Sequence, residues 1–396
     1  MSQSLRANLR TLPRTAWILY AGTFINRFGS FVVPFLILYL SDKGYSPAAA
    51  GAAVAAYGFG NLFSTALGGF LADRIGRRGT IALSMFSAAA ALVALSQAEG
   101  LPLITSLIFL CGLTAELYRP AASALLADVT PEGQRLTAFA VYRLAINAGV
   151  AAGPAVAGLL ARKSFFYIFL GDAITCVLYG IIALVALPAG RGGTAREERK
   201  SEFFSTIALD RPFLLFLVSS TLISFVFFQF ESTFALHVRA SGYSTAVYGA
   251  LVSLNGIVIV FLELWMTTVT RRFHVRRVMA LGYFLVGAGF AVNLGAPTIP
   301  LLVGGVLLWT MGEIVSSPVA GAFVADLAPA HLRGRYMGAW GVTWSLGLML
   351  GPGLGSMIYA WSADALWMLC GALGILSAGL ILIEPVRARA TAAPHP

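Results

Sequence analysis

The amino-acid sequence predicts an all-α integral membrane protein, with twelve transmembrane helices in two pseudo-symmetric six-helix halves. Three observations lead there. Hydrophobic residues make up 58% of the chain and charged residues 11%, against about half and about a quarter in a soluble domain. Apolar runs of roughly 18 residues or more, enough to cross about 30 Å of hydrocarbon, occur about twelve times. The chain also repeats itself 198 positions on. RPAASALLADVTPEGQRLTAFAVYRLAINAGVAAGPAVAG from Arg119 is matched without a gap by SPVAGAFVADLAPAHLRGRYMGAWGVTWSLGLMLGPGLGS from Ser317. Pro120 meets Pro318, Asp128 meets Asp326, Arg135 meets Arg333, and Gly153-Pro154 meets Gly351-Pro352. A period of half the chain signals internal duplication, and it places the working site between the two halves.

Taken in order, spans 1 to 6 fall at 15–40, 48–72, 80–97, 102–126, 137–161 and 166–188. Spans 7 to 12 fall at 212–238, 246–269, 278–296, 299–324, 336–361 and 364–384. The first fourteen residues are polar and basic, and the apolar run after them is too long for a signal-peptide core, so it is retained as span 1. The stretch 189–211, AGRGGTAREERKSEFFSTIALDR, is rich in charge and glycine. It reads as a cytoplasmic linker, with an amphipathic surface helix around 201–208, between an N-terminal half (1–188) and a C-terminal half (212–396). No soluble domain is expected at either end.

Loop charge orients the spans. With both termini cytoplasmic, 20 of the 27 Lys and Arg lie on the cytoplasmic side. Only Lys43, Arg162, Lys163 and Arg239 lie outside, and Arg27, Arg119 and Arg143 sit within or at the ends of spans. This is the positive-inside bias, expected of a multi-pass protein of a bacterial inner membrane. It accounts for the net charge of +10 without a nucleic-acid partner. Cys111, Cys176 and Cys370 all fall inside spans, with no CxxC pair or histidine partner to suggest a metal. No GxxxxGK[ST] motif is present, which argues against ATP as a drive. Neither a cofactor nor enzymatic activity is expected.

Between spans 2 and 3 the chain reads Gly68-Gly69-Phe70-Leu71-Ala72-Asp73-Arg74-Ile75-Gly76-Arg77-Arg78. Gly69 permits close helix packing, Gly76 permits a tight turn, and Asp73 stands at a span end among three arginines. This pattern resembles the loop 2–3 signature of the major facilitator superfamily. With the twelve spans and the half-chain repeat, the chain is similar to that family over nearly its whole length. The resemblance implies that Asp73 helps latch the halves in the outward-facing state, with Gly69, Arg74, Gly76, Arg77 and Arg78 as its structural partners. The equivalent loop, 268–277, keeps the basic residues but has Arg271 where Asp73 maps, so the latch is asymmetric.

In span 5, Gly149-x-x-x-Gly153-Pro154-x-x-x-Gly158 puts small residues on one face, and Pro154 adds a kink. This resembles the family's helix 5 antiporter signature and implies the drug:proton antiporter branch. Its echo in span 11 (Gly347, Gly351, Pro352) shows that packing alone can maintain such a pattern. One position departs from that branch. Many of its members carry an arginine in helix 4 where this chain has Ile108, so coupling through that arginine is not carried over.

Seven ionisable residues fall deep in spans: Arg27, Glu116, Arg143, Asp172, Glu231, Glu263 and Glu313. Charge at membrane depth is costly and faces a cavity or a partner. The family's architecture implies that spans 1, 4, 7 and 10 line a central cavity, which would bring Arg27, Glu116, Glu231 and Glu313 together. An apolar wall disfavours the charged form of a carboxyl, which suits Glu231 and Glu313 first, then Glu116 and Glu263, to proton coupling. Arg27 would hold an anionic group or a carboxylate. Asn26, Tyr20, Phe24, Phe228, Gln229 and Trp309 are expected with it around the substrate. Asp172 reads as structural, and Arg119 and Arg143 as contacts to Asp128. Asn26-Arg27-Phe28 faintly resembles the Glu-Arg-Phe motif of proton-coupled peptide transporters, without its acidic members.

The expectation is a secondary active transporter working by alternating access as a monomer in the lipid bilayer. Its function would be proton-coupled efflux of small amphipathic or drug-like compounds. The alternative is proton-coupled import of a peptide, sugar or organic acid, or a lipid flippase of the same fold. Function should sit where the repeat fails: Arg27 maps onto Phe225, Val33 onto Glu231, Ala115 onto Glu313, and Asp73 onto Arg271.

Overall fold

The computed structural model describes residues 12–131, 134–189, 210–270, 272–295, 297–328 and 332–383. Arg271 and the surface helix expected around 201–208 lie outside the described residues. Those residues form twelve helical rods. Spans 1 to 6 run over Arg14–Asp42, Pro47–Arg74, Arg77–Ser96, Leu101–Val129, Arg135–Ala161 and Phe165–Ala186. Spans 7 to 12 run over Arg211–Ala240, Thr245–Thr270, Val275–Leu294, Ile299–Leu327, Arg333–Trp361 and Ala363–Leu382. Nine of the rods are long and apolar enough to cross a membrane by length and composition. The other three are spans 2, 7 and 11. Spans 2 and 11 are diluted by small residues that let them press on one another, and span 7 is interrupted.

Local sequence sets the rod ends. Ser46 opens span 2 by accepting a hydrogen bond from the Ala49 amide, with Pro47 at the first helical position. Proline is tolerated there because that amide has no helical partner. Asp210 and Pro212 open span 7 in the same way. Gly44 and Gly242, 198 residues apart, end spans 1 and 7 at φ of 86° and 84°. A side chain would strain the backbone at such angles.

The sequence predicts unbroken spans, and the structure corrects this in three places. Span 1 is split into Arg14–Gly29 and Val32–Asp42, span 4 into Leu101–Ala115 and Tyr118–Val129, and span 7 into Arg211–Phe227 and Thr233–Ala240. Backbone groups freed at membrane depth must find partners. Asp172 supplies one, its Oδ2 accepting the Val32 amide at 3.2 Å. Asp172 is structural in this sense, as its position in the sequence suggests.

The repeat is written into the contacts between the halves. A Cβ added at Gly51 in span 2 would meet Pro352 and Ser356 in span 11, and one at Gly249 in span 8 would meet Pro154 and Gly158 in span 5. Gly58 likewise faces Leu348 and Met349, and Gly256 faces Ala151. Shifting the first member of each pair by 198 gives the second, so the two seams are related by one pseudo-two-fold axis. Small residues on both sides let the backbones meet.

Candidate functional site

Between the halves lies a cavity of about 840 Å³. Spans 1, 2, 4, 7 and 11 supply most of its wall, which is largely apolar and aromatic, with Tyr57, Phe228, Phe230, Trp340 and Trp344 among the lining residues. Ile108 is one of its apolar residues. The cavity reaches towards the end of the bundle that carries the loop between spans 2 and 3, here called the linker face. Arg119, Met337 and Gly338 line it on that side, and the Arg119 side chain is 58% exposed although it lies inside a rod. At the opposite face, Arg239 of span 7 pairs with Asp42 of span 1 and also donates to the Leu38 carbonyl at 3.4 Å. Below that pair Phe35 packs edge-on against Tyr248, with ring centroids 5.2 Å apart.

Three of the four ionisable residues expected to converge do so. Arg27 makes a two-pronged contact with Glu116, Nη1 to Oε1 and Nη2 to Oε2, both at 2.9 Å. Arg119 adds a contact from the other side, 3.3 Å from Oε2. Paired N–H donors in a fixed fork match the carboxylate geometry, which makes this a strong contact. The glycines of span 5 position it. Gly149 abuts Arg27 and Phe28, and Gly153 abuts the Phe28 carbonyl, so a side chain at either would push span 1 away. The echo in span 11 does the same for span 7: Gly347 abuts Ser224, and Gly351 abuts Phe225 and Phe228.

Glu231 lies in the break of span 7 and lines the same cavity. Among the described residues it makes no hydrogen bond or ion pair. Glu116 and Glu231 thus stand at breaks in opposite halves, one neutralised and one open. Asn26, Arg27 and Phe228 also line the cavity, and Asn26 donates to the sulfurs of Met85 and Cys176. The cysteines are buried and free.

Other expected site residues are not brought to this cavity. Glu313 borders a separate small crevice with Tyr283 and Ser316, and Trp340 and Trp344 belong to the walls of both spaces. Its Oε2 accepts from the Asn255 amide at 3.1 Å. Glu263 is held at the seam of spans 5 and 8 by Arg143 and by the Asn147 amide, the latter at 3.0 Å. Arg143 is therefore bound to Glu263, Arg119 to Glu116, and Asp128 to Arg77, which replaces the expected pairing of both arginines with Asp128.

Four residues expected around the substrate are committed elsewhere. Tyr20 is buried and donates its hydroxyl to the Ala138 carbonyl. Phe24 is 39% exposed and stacks on Phe28. Gln229 is buried, donating to Phe225 and Gly351 carbonyls and accepting from Thr233. Trp309 is buried, stacked on Phe290 at 4.5 Å and edge-on to Phe234. Hydrophobic sequence alone did not tell these packing roles from a cavity wall.

At the linker face, Arg77 is 3.7 Å from Asp73 and its Nε is 3.0 Å from Asp128. All three residues belong to the N-terminal half. Gly76 opens span 3 at φ 81°, and Arg74 lies over the Phe70 ring at 5.9 Å. The Arg78 amide donates to the Ala189 carbonyl at 3.4 Å. Among the described residues Gly69 does not pack closely, since nothing outside its own helix lies within 4 Å of where its Cβ would be; its neighbour Gly68 is the one pressed on Leu117.

A family model described as Major Facilitator Superfamily matches residues 19–274 and 238–396. The MFS-type transporter YqjV of Bacillus subtilis (strain 168) is 29% identical over 351 residues, covering 86% of this chain and 85% of the relative. A Na(+), Li(+), K(+)/H(+) antiporter of Planococcus maritimus is 25% identical, covering 83% of this chain and 85% of the relative. The quinolone resistance protein NorA of Staphylococcus aureus is 25% identical over 57% of this chain and 59% of its own length. Among solved structures, a POT family transporter in complex with a thioalcohol-conjugated peptide superposes with a TM-score of 0.80 at 16% identity, over 93% of this chain and 96% of that one.

Proposed function

Since the chain belongs to the Major Facilitator Superfamily, and is thus a multi-pass secondary transporter, we propose that it expels small amphipathic compounds in exchange for protons by alternating access. The observation that carries this reading is Glu231: a carboxylate in an aromatic-walled cavity between the halves, with no pairing group among the described residues. A carboxyl at membrane depth needs a partner, so a proton or a cationic or hydrogen-bond-donating substrate can each satisfy it, and the two compete. The nearby aromatic rings suit a cationic amphiphile, because ring faces attract positive charge. The antiport relative and NorA support exchange and drug-like substrates respectively.

Loop charge supports reading the linker face as the cytoplasmic one, in a bacterial inner membrane. On that assignment substrate enters from inside and displaces the proton on Glu231. The halves then rock about the glycine seams, and a proton from outside displaces the substrate. Arg27 keeps Glu116 charged and occupied throughout, leaving Glu231 as the exchanging group, with Glu313 as an accessory proton site in its own crevice. Asp73 and Arg77 would engage the second half when the linker face closes. The cavity is complete within one chain, consistent with a monomer as the working unit.

The test uses proteoliposomes loaded with ethidium as a lipophilic cation and a pH-sensitive dye. Ethidium movement coupled to proton movement is expected, and it should disappear in Glu231→Gln. Flux indifferent to a pH gradient, or unchanged in the double variant Glu231→Gln, Glu313→Gln, would sink the coupling. Accumulation of a peptide, sugar or organic acid down the proton gradient would instead establish import.

A further inference from the structure

Four basic residues run against the charge bias of this chain, and three of them meet. Lys43, Arg162 and Lys163 line one open pocket of about 490 Å³ at the face opposite the linker, where the end of span 1 meets the loop between spans 5 and 6. Tyr39, Phe165 and Phe169 also line it, with Tyr39 4.9 Å from Phe169 and 5.8 Å from Phe165 between ring centroids.

Among the described residues, nothing neutralises the positive charge here. Asp42, the one acidic residue lining the pocket, is engaged by Arg239. The Lys43 ammonium donates to the Ala98 carbonyl at 3.3 Å and lies 5.4 Å above the Tyr39 ring, so its remaining protons are available. Glu99, next to Ala98 in sequence, makes no ion pair among the described residues. Arg162 and Lys163 are exposed, and among the described residues neither makes an ion pair. Span 6, a helix of 22 residues, begins at this pocket, and Ser164 accepts the Phe166 amide there. A helix start adds partial positive charge to the same spot. Beside it Phe166 and Tyr167 are each 46% exposed, with ring centroids 6.1 Å apart. Aromatic residues at the ends of spans sit at the level of lipid headgroups.

Cations placed on the disfavoured side of the membrane, gathered in a concavity and left without carboxylate partners, call for an anion from outside the chain. We propose that this pocket binds the phosphate of an anionic phospholipid headgroup in the leaflet opposite the linker, with the acyl chains running along Phe166 and Tyr167. The inference does not depend on which substrate the central cavity carries.

Native mass spectrometry of the detergent-purified full chain, titrated with phosphatidylglycerol, tests it. Each basic residue near a charged headgroup should contribute about fivefold to binding. The double variant Arg162→Gln, Lys163→Gln should therefore bind phosphatidylglycerol about 30-fold more weakly. Arg272→Gln, Arg277→Gln, which removes the same charge from the linker face, should bind as the parent does. Both pairs are exposed, and a melting curve checks that each variant is folded. Should the first variant unfold, Lys43→Gln replaces it, with about a fivefold loss expected. Unchanged lipid retention in the pocket variant, an equal loss in the linker-face variant, or equally tight binding of phosphatidylcholine would overturn the proposal. Displacement of the lipid by millimolar inorganic phosphate would also overturn it, identifying free phosphate as the occupant.

Discussion

Glu116 and Glu231 face one cavity from opposite halves, each at a break in its span, yet their surroundings treat them in opposite ways. Glu116 is gripped by Arg27 and touched by Arg119. Glu231 has neither a hydrogen bond nor an ion pair among the described residues. The repeat does not relate the two places, since the 198-residue shift carries Glu116 onto Ile314 and Val33 onto Glu231; the partner supplied at each place decides what the carboxyl can do. A carboxylate held by a fork of N–H donors is fixed as an ion. One left open on a cavity wall can trade its charge for a proton or a ligand.

The sharpest way to break this contrast is to neutralise each carboxyl in turn. Glu231→Gln should abolish gradient-driven flux in proteoliposomes while leaving the melting temperature unchanged or higher, because an unpaired charge is removed from a largely apolar site. A protein that still couples would show that the open carboxyl is incidental. Next in size, bulk placed in the symmetric seams should jam the rocking motion. Gly58→Leu and Gly256→Leu should each slow transport about tenfold, as overpacking costs about 1–3 kcal/mol. Responses that differ by more than a few-fold would mean the two seams are not equivalent hinges.

Glu116→Gln should act mainly on stability. Breaking a fully buried pair costs about 3–5 kcal/mol, and the partial exposure of Arg27 and Glu116, 15% and 11%, reduces the expectation to about 2 kcal/mol. Arg27→Met in the Glu116→Gln background should recover part of it in thermal melts. If Glu116→Gln melts like Glu231→Gln, the contrast between held and open carboxyls fails. The smallest effect belongs to the half-exposed pair Asp42–Arg239, worth about 0.5 kcal/mol. Arg239→Gln should roughly double the labelling rate of a cysteine introduced at Ser30 by an impermeant maleimide added on the side opposite the linker; a rate that is unchanged or slower would remove the pair as a closure contact.

Much of the frame was legible in the sequence because duplication leaves a register. The 198-residue shift relates Gly51 to Gly249, Gly58 to Gly256 and Gly44 to Gly242, and the structure uses each pair in the same way on both sides. Arg27 and Glu231 were legible as cavity residues because charge at membrane depth faces a cavity or a partner, and the family resemblance implies that spans 1 and 7 line the cavity. The breaks in spans 1, 4 and 7 were not, since apolar residues continue through them and the compensating groups lie far off in sequence. Asp172, 140 residues from the Val32 amide it accepts, is an example. Nor could periodicity alone separate Tyr20, Gln229 and Trp309 from true cavity residues. The rotation of each rod is set by where glycine lets a neighbour approach, as Gly355 does for Gln229. Glu263 looked like a second buried coupling group because its partners, Arg143 and Asn147, come from the other half of the chain.

If Arg27 holds Glu116 charged throughout the proposed cycle, there is an electrical consequence. Among the described residues, it would leave Glu231 as the carboxylate on the central cavity with neither an ion pair nor a hydrogen bond, Asp172 being held by the Val32 amide; if Glu231 alone exchanges, each cycle trades one positive charge there. A monovalent organic cation leaving against one proton would then move no net charge, and the membrane potential would neither help nor hinder it. An uncharged substrate leaving by the same route would carry one elementary charge inward with its proton, and a potential of 100 mV would add about 2.3 kcal/mol to its export.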